Sequence, residues 1–163
     1  MELFDALVQR ASVRKLKPVE VTGADLQRIL DAGRRAPSGQ NFQPFDFLVI
    51  RDPDTLRELS RAQACIGDVT LAVALVADPE KSRWWLEDIA AATANMLLAI
   101  TALGYASVWI EGTLLRQEAE HKRLLGIPEN LRLMILLPIG QAAEAVAQAP
   151  KRALEDMVHR DRW

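Results

Sequence analysis

The sequence predicts a layered α+β domain with about four strands. Two continuous apolar runs, residues 69–77 and 131–139, are typical of strands that are buried on both faces. A long apolar segment over residues 82–103 has the length and composition of a buried helix. The elements follow the order α, α, β, α, β, α, β, α, β and a tail, and the length of 163 residues suits one domain, 1–163.

The first half of the chain carries clear helix and strand signals. Residues 2–10 predict a short amphipathic helix. Thr22 has the spacing of an N-cap for a second helix, which ends before Pro37. A polar loop leads to a strand over 45–50, and Pro53 stands at the first position of a third helix. The apolar face of the first helix consists of Leu3, Phe4, Leu7 and Val8.

The second half is organised around the apolar helix predicted over residues 82–103. Because that helix is apolar nearly all round, more than one of its faces must be buried, in the centre of the domain or in a homodimer interface. Gly104 suits the position after the helix, and residues 105–110 suit a strand. Residues 116–125 predict a charged helix, and residues 140–163 an extended tail with a short helix.

Composition excludes several classes of function. Twenty Lys and Arg against 22 Asp and Glu give a net charge of −2, so a broad nucleic-acid surface is not expected. The single cysteine, Cys65, leaves no intramolecular disulfide and suits a small buried hydrophobe. His121 and His159 have no neighbouring ligands at metal-binding spacing, so we expect no metal site and a solvated position for His121.

One uncharged stretch, residues 89–110, is long enough to span a bilayer. Its alanines and its interspersed Thr, Asn and Ser residues favour a buried helix followed by a strand instead. Acidic residues within positions 1–5 do not fit a secretory signal. We therefore expect no membrane partner and a cytoplasmic location.

Three segments stand out as candidate binding elements. The segment from Arg10 to Arg14 places two guanidinium groups around Ser12, and the planar guanidinium fork suits phosphate. The loop 36–45 holds amide and small side chains between prolines, so it can present fixed donors and acceptors to a planar ring. Gly112 follows the end of a predicted strand, where a ligand can approach the backbone. A solvated basic turn and an ordinary loop are the alternatives for the first two.

Taken in this order, the segments resemble the nitroreductase family of FMN-dependent, NAD(P)H-using oxidoreductases. The resemblance covers nearly the whole chain, and its motifs are as follows: Arg10-x-Ser12-x-Arg14, Ala36-Pro37-Ser38-x-x-Asn41-x-Gln43-Pro44, Asn95-Met96-Leu97-Leu98, Leu103-Gly104, Trp109-Ile110 and the ending from Leu154 to Trp163. It implies a central, mostly antiparallel sheet of four to five strands flanked by helices. It also implies a homodimer with the long helix at the interface and two FMN sites built from both chains.

The resemblance implies a set of contacts to the phosphate end of FMN. Arg10 and Ser12 would hold the phosphate, and Lys151 or Arg152 would add positive charge from the tail. Arg14 would lie near the pyrimidine edge of the flavin, where a cation favours the anionic reduced form.

The resemblance also implies contacts to the flavin ring. Pro37, Ser38 and Asn41 of the partner chain would line the ring, and Gln43 belongs to the same loop motif. The backbone at 111–112, Glu111 and Gly112, would face flavin N5. No side chain is expected to act as a catalytic acid or base, because the flavin carries the hydride from NAD(P)H to a small-molecule acceptor such as a nitroaromatic or a quinone, in a ping-pong cycle.

The chain departs from the family pattern in three respects and leaves alternatives open. Lys151 stands where an Arg is more usual, and no segment clearly matches the family's mid-chain polar contacts to the flavin ring. The third departure is a short connection. Only residues 78–87 separate the central strand from the long helix, where longer family members insert a helical roof over the site. Trp84 and Trp85 lie in this segment, either as a partial roof or as core anchors. The alternatives in function are a flavin-binding sensor or carrier without turnover, a reductive dehalogenase, a flavin-fragmenting enzyme, and a membrane-associated protein that uses residues 89–110.

Overall fold

A five-stranded antiparallel sheet forms the centre of the molecule, and the computed structural model describes all residues from 1 to 163. The strands run in the order β1-β5-β3-β2, and β4 pairs with β5 on the same side as β1. This confirms the predicted α+β class and the mostly antiparallel sheet. The strand bounds are β1 Leu16–Lys17, β2 Phe45–Ile50, β3 Leu71–Ala77, β4 Ala106–Ser107 and β5 Arg132–Ala142.

Six helices surround the sheet, with bounds α1 Leu3–Gln9, α2 Gly23–Arg34, α3 Pro53–Leu59, α4 Trp85–Ala102, α5 Gly112–Leu115 and α6 Glu118–Leu125. Two of them begin with side-chain caps, of which the sequence predicts the one at Thr22. The Thr22 hydroxyl accepts a hydrogen bond from the amide of Asp25, and the Asp52 carboxylate accepts one from the amide of Thr55. Gly104 follows α4 with a φ of 84°, in the left-handed conformation that ends helices.

The central strand β3 separates two hydrophobic cores, because its successive side chains point to opposite faces. Leu71, Val73 and Leu75 pack with α2 and α4 on one face. Ala72 and Ala74 pack on the other face with residues of α3 and α5. Every residue of β3 is buried, as the continuous apolar run predicts.

Several elements differ from their predicted form. The predicted strand over 105–110 is regular only at β4, with one further bridge between Ile110 and Leu136. The predicted helix over 116–125 is preceded by the separate turn of α5. The two-residue strand β1 has too short a pattern to be recognised in the sequence. The tail contains a single 3₁₀ turn over Leu154–Asp156, as expected.

The solvated position predicted for His121 is wrong. Its side chain is 3% exposed, and its Nδ1 lies 3.1 Å from the carbonyl oxygen of Leu114. The neighbouring positions 118, 120, 122 and 123 are all charged, which conceals the buried position of the imidazole in the sequence.

No helix has the length and apolar character needed to cross a membrane.

Candidate functional site

The predicted site residues fall into two groups at opposite edges of the sheet. The first group adjoins β4, and the second is the loop that leads into β2. Strands β5 and β3 lie between these two edges, which separates them by about 14 Å at roughly 4.8 Å per strand. Each group is positioned by a different set of contacts.

The first group begins where the chain leaves α1. Ser12 forms a bridge with Ser107 of β4, and the amide of Val13 donates to the carbonyl oxygen of Ser107 at 2.9 Å. This pairing fixes the segment from Arg10 to Arg14 along the edge strand. Ser12 and Arg14 are exposed there, so the hydroxyl and the guanidinium are available to a ligand.

The C-terminal tail crosses the same region. The Gln148 side-chain amide donates to the carbonyl oxygens of Leu7 and Arg10, at 3.1 and 2.9 Å. Lys151 and Arg152 follow within a few residues and are exposed. Gln148 therefore brings the tail to Arg10, although neither tail cation forms a hydrogen bond with the segment from Arg10 to Arg14. Arg152 donates instead to the carbonyl oxygen of Asp156.

The donor set of this edge suits an anion. Arg10, Arg14 and Lys151 take part in no ion pair of the chain. Beside Ser12, the buried hydroxyl of Ser107 has no hydrogen-bond partner, and a buried polar atom without a partner costs free energy. The unpaired guanidinium groups and the exposed hydroxyl of Ser12 are donors of the kind that a phosphate group requires.

Glu111 and Gly112 lie on the same edge, just beyond the bridge of Ile110 to Leu136. The Glu111 carboxylate accepts a hydrogen bond from the indole N–H of Trp109 at 2.8 Å. A Cβ on Gly112 would meet no atom within 4 Å. The backbone at Gly112 is therefore open to a ligand, while the Glu111 side chain is held by its neighbour.

Cys65 lies near the first group but is not a reactive thiol. Burial, followed by the charge of Asp68, raises the pKa of the Cys65 thiol, while Arg14 opposes this weakly. The thiol is 2% exposed and forms no disulfide. A buried neutral thiol is neither a good nucleophile nor a good metal ligand, so the interpretation of Cys65 as a small buried hydrophobe is confirmed.

The second group is the loop that contains Pro37, Ser38, Asn41 and Gln43. Its middle is a 3₁₀ turn over Gly39–Asn41. The Ser38 hydroxyl accepts a hydrogen bond from the amide of Gln43 at 3.2 Å, and the Gln43 side chain donates to the carbonyl oxygen of Asn41 at 3.1 Å. The side chains of Ser38 and Gln43 thus stabilise the loop itself, while Asn41 is exposed.

The backbone of this loop is strained. Gln40, Asn41 and Gln43 have φ values of 50°, 60° and 48°, in the left-handed region that L-residues other than glycine seldom adopt. Such conformations cost about 1 kcal/mol or more each and persist where surrounding contacts impose them. Strain of this kind is concentrated at ligand sites.

The start of α4 supplies the contacts that hold the loop. The amide of Gly39 donates to the Asp88 carboxylate at 2.7 Å, and the ring of Trp84 packs against Gly39. An open pocket of about 360 Å³ lies between the loop and the first turns of α4. Trp85 instead packs with the core beneath α4. Of the two tryptophans, Trp85 is a core anchor and Trp84 covers the site loop.

One chain does not bring the two groups together. The loop is held by Asp88 in the first turn of α4, whereas β4 follows the last turn of the same helix. At about 1.5 Å per residue, these two ends of α4 are roughly 20 Å apart. The two groups therefore lie on separate parts of one chain.

Two polar residues beside the site were missed in the sequence. Ser107 interrupts an otherwise apolar strand, which is a usable signal for a buried hydroxyl. Asp88 follows Glu87 in the first turn of a helix, where acids are ordinary. Only the long-range contact with Gly39 distinguishes Asp88 from a surface acid, so no local pattern could have identified it.

Comparison with known proteins identifies the same family along most of the chain. A model described as the nitroreductase family matches residues 7–77 and 67–141. A protein of Archaeoglobus fulgidus that is provisionally named an NADH dehydrogenase/NAD(P)H nitroreductase is 33% identical, over 99% of each chain. That relative is therefore of nearly the same length as this chain.

Solved structures agree in fold. A protein of Bacteroides thetaiotaomicron with the same provisional name superposes with a TM-score of 0.91 at 25% identity, over 99% of this chain and 98% of its own. An FMN-dependent nitroreductase of Clostridium difficile gives a TM-score of 0.87 at 26% identity, over 98% of this chain and 99% of its own.

Proposed function

Because the chain belongs to the nitroreductase family, we propose that it is an FMN-dependent oxidoreductase that uses NAD(P)H and reduces a small acceptor such as a nitroaromatic or a quinone. The observation that supports FMN as the cofactor is the set of anion donors beside the edge strand β4. Arg10 and Arg14 have no acidic partner, and the Ser12 hydroxyl between them is exposed. These groups suit the phosphate of FMN.

The residues of the chain bind and orient the cofactor in this proposal. Arg10 and Ser12 hold the phosphate, assisted by Lys151 or Arg152 of the tail, and Arg14 lies toward the pyrimidine edge. The open backbone at Gly112 lets the flavin ring approach closely. The flavin, when bound, would supply the hydride chemistry between NAD(P)H and the acceptor, for which we propose a ping-pong cycle.

The second group completes the site from another chain. Pro37, Ser38, Asn41 and Gln43 lie at the opposite sheet edge, so we propose a homodimer in which the loop of one chain lines the flavin held by its partner. The apolar face predicted for α1 supports this assembly. Phe4 is 79% exposed and Val8 is 72% exposed, and apolar side chains that cluster on a surface mark interaction sites.

The tail carries further exposed apolar side chains, which include Leu154 at 73% and Trp163 at 101% exposure. A tail that makes few contacts with its own chain is suited to pack on a second one.

The proposal also includes the cytoplasmic location expected from the sequence.

The visible spectrum of the purified protein tests the central claim. The protein is incubated with FMN, freed of unbound flavin by gel filtration, and recorded before and after anaerobic addition of NADPH or NADH. We expect a retained flavin spectrum that bleaches with one of the two donors. Absence of retained flavin would overturn the proposal.

Turnover distinguishes the enzyme from the remaining alternatives. A protein that retains FMN but is bleached by neither NADPH nor NADH fits a flavin carrier or sensor. A reduced flavin that reacts with a halogenated aromatic substrate, and not with nitroaromatics or quinones, fits a reductive dehalogenase. We expect oxidation of the reduced flavin by nitroaromatics or quinones.

A further inference from the structure

Asp88 is a buried carboxylate whose partners are all neutral. It is 4% exposed, although it lies in the first turn of α4. Its two oxygens accept hydrogen bonds from the Gly39 amide at 2.7 Å and the Ser82 hydroxyl at 3.1 Å. No Lys, Arg or His forms an ion pair with it. Burial of a carboxylate is costly unless hydrogen bonds compensate for the lost water.

The contact partners of Asp88 come from two separate segments. Ser82 precedes α4, and its hydroxyl also accepts a hydrogen bond from the amide of Trp84 at 3.1 Å. Gly39 lies 49 positions earlier in the chain, in the middle of the site loop. Asp88 thus joins the loop to the start of α4, and Ser82 fixes the orientation of the carboxylate.

The loop needs such a contact because its own backbone is unfavourable. Left-handed conformations at Gln40, Asn41 and Gln43 occur within four consecutive positions. Inside the loop, two side-chain hydrogen bonds of 3.2 and 3.1 Å between exposed groups accompany two backbone bonds of 3.0 Å, from the Asn41 amide to Ser38 and from the Phe42 amide to Gly39. The shorter bond from Gly39 to a buried carboxylate is charge-assisted and therefore stronger. Trp84 packs on the same glycine.

From this geometry we propose that Asp88 is a positioning residue for the flavin-facing loop. It holds Gly39, and through it keeps Ser38 and Asn41 in the conformation that lines the flavin of the partner chain. Ser82 is its orienting partner. The inference rests on the proposed flavin site, and it adds a residue that never touches the cofactor but sets the population of the binding-competent loop.

The test combines amide exchange in the flavin-free protein with FMN affinity. Asp88→Ala removes both hydrogen bonds. Asp88→Asn retains an oxygen that can accept from Gly39 and an amide that can donate to Ser82. Thr93→Ala is the matched control, because Thr93 is buried on the same helix and donates only to the carbonyl oxygen of Ile89 within α4.

We expect Asp88→Ala to accelerate exchange of the loop amides by about tenfold and to raise the Kd for FMN by about the same factor, because apparent affinity scales with the competent fraction. We expect Asp88→Asn, which keeps an acceptor for Gly39 but loses the charge, to change both readouts in the same direction and by less than Asp88→Ala. The control Thr93→Ala should lower the Tm without changing loop exchange. Where Asp88→Ala does not fold, Ser82→Ala should give the same changes to a smaller extent.

Wild-type exchange rates of the loop amides in Asp88→Ala would overturn the inference. Faster exchange with an unchanged Kd for FMN would overturn it as well, because the loop conformation would then not matter for binding. If the wild-type chain binds no FMN, the proposed function fails by itself. The exchange data would in that case still report whether Asp88 orders the loop.

Discussion

The ring of Trp84 packs so closely on Gly39 that a Cβ at this position would overlap the indole. Glycine is therefore required at position 39, because the indole leaves no room for a side chain. We expect Gly39→Ala to displace the ring or the loop and to lower the free energy of unfolding by about 1–3 kcal/mol, the usual cost of overpacking. FMN affinity should fall with it. Denaturant unfolding and FMN titration measure the two effects.

Gly23→Ala is the matched control for this substitution. Gly23 is the first residue of α2, and a Cβ there would meet no atom within 4 Å. Alanine favours the helix, so we expect stability to stay unchanged or to rise by up to about 1 kcal/mol. Equal destabilisation by both substitutions would contradict the role assigned to the Trp84 contact.

The guanidinium of Arg10 is predicted to bind the FMN phosphate. We expect Arg10→Ala to raise the Kd for FMN by about tenfold or more, the effect of losing a charge-assisted hydrogen bond, while circular dichroism stays unchanged. Arg57→Ala is the control, since Arg57 pairs with Asp54 on the surface of α3. Full flavin occupancy in Arg10→Ala would show that the phosphate is held elsewhere.

The exposed apolar face of α1 is predicted to be covered in the homodimer. We expect Phe4→Glu to shift the protein toward monomer in sedimentation velocity, because a charge in an apolar interface must be desolvated. Flavin retention should fall in parallel if the site needs both chains. Leu124→Glu serves as the control, since Leu124 is 42% exposed on α6. A dimer that is equally stable in both variants would place the interface on another surface.

Stability is predicted to depend on pH through Glu118. Burial alone would raise the pKa of Glu118, but hydrogen bonds from the Arg132 guanidinium and the Leu133 amide outweigh it and lower the pKa. A lowered folded-state pKa contributes stability that is present above the unfolded-state value and is lost as the pH falls through the folded-state value.

We therefore expect Glu118→Gln to destabilise the protein near neutral pH by about 2 kcal/mol. The difference from wild type should shrink as the pH falls below about 4, near the ordinary pKa of a glutamate. Urea unfolding at several pH values measures this trend. Glu129→Gln is the control, because the Glu129 carboxylate forms no ion pair. A pH-independent difference for Glu118→Gln would contradict the prediction.

Local patterns in the sequence were sufficient for most of the fold. The continuous apolar runs identified β3 and the greater part of β5, since strands buried on both faces have no polar positions. The cap at Thr22 located the start of α2. His121 was misjudged because its position depends on the packing of α6 against the turn before it, which no periodicity within eight residues reveals.

The candidate site was predicted as a set of residues but not as an arrangement. The order of the motifs along the chain predicted Arg10, Ser38 and Gly112 as members of one site. In the structure, the loop that contains Ser38 and the strand β4 lie at opposite edges of the sheet. That separation follows from strand order, which is a long-range property. The role of Asp88 depends on a contact across 49 positions and is invisible to local reasoning for the same reason.

The position of β3 between β2 and β5 also has a consequence for synthesis on the ribosome. The partner strand β2 is made before β3, but Arg132–Ala142 emerges only after the whole of α4, α5 and α6. Until then the most apolar strand of the protein has an open hydrogen-bonding edge, which is a template for association between nascent chains. We therefore expect ribosome-bound fragments that end before Arg132 to be prone to association through β3.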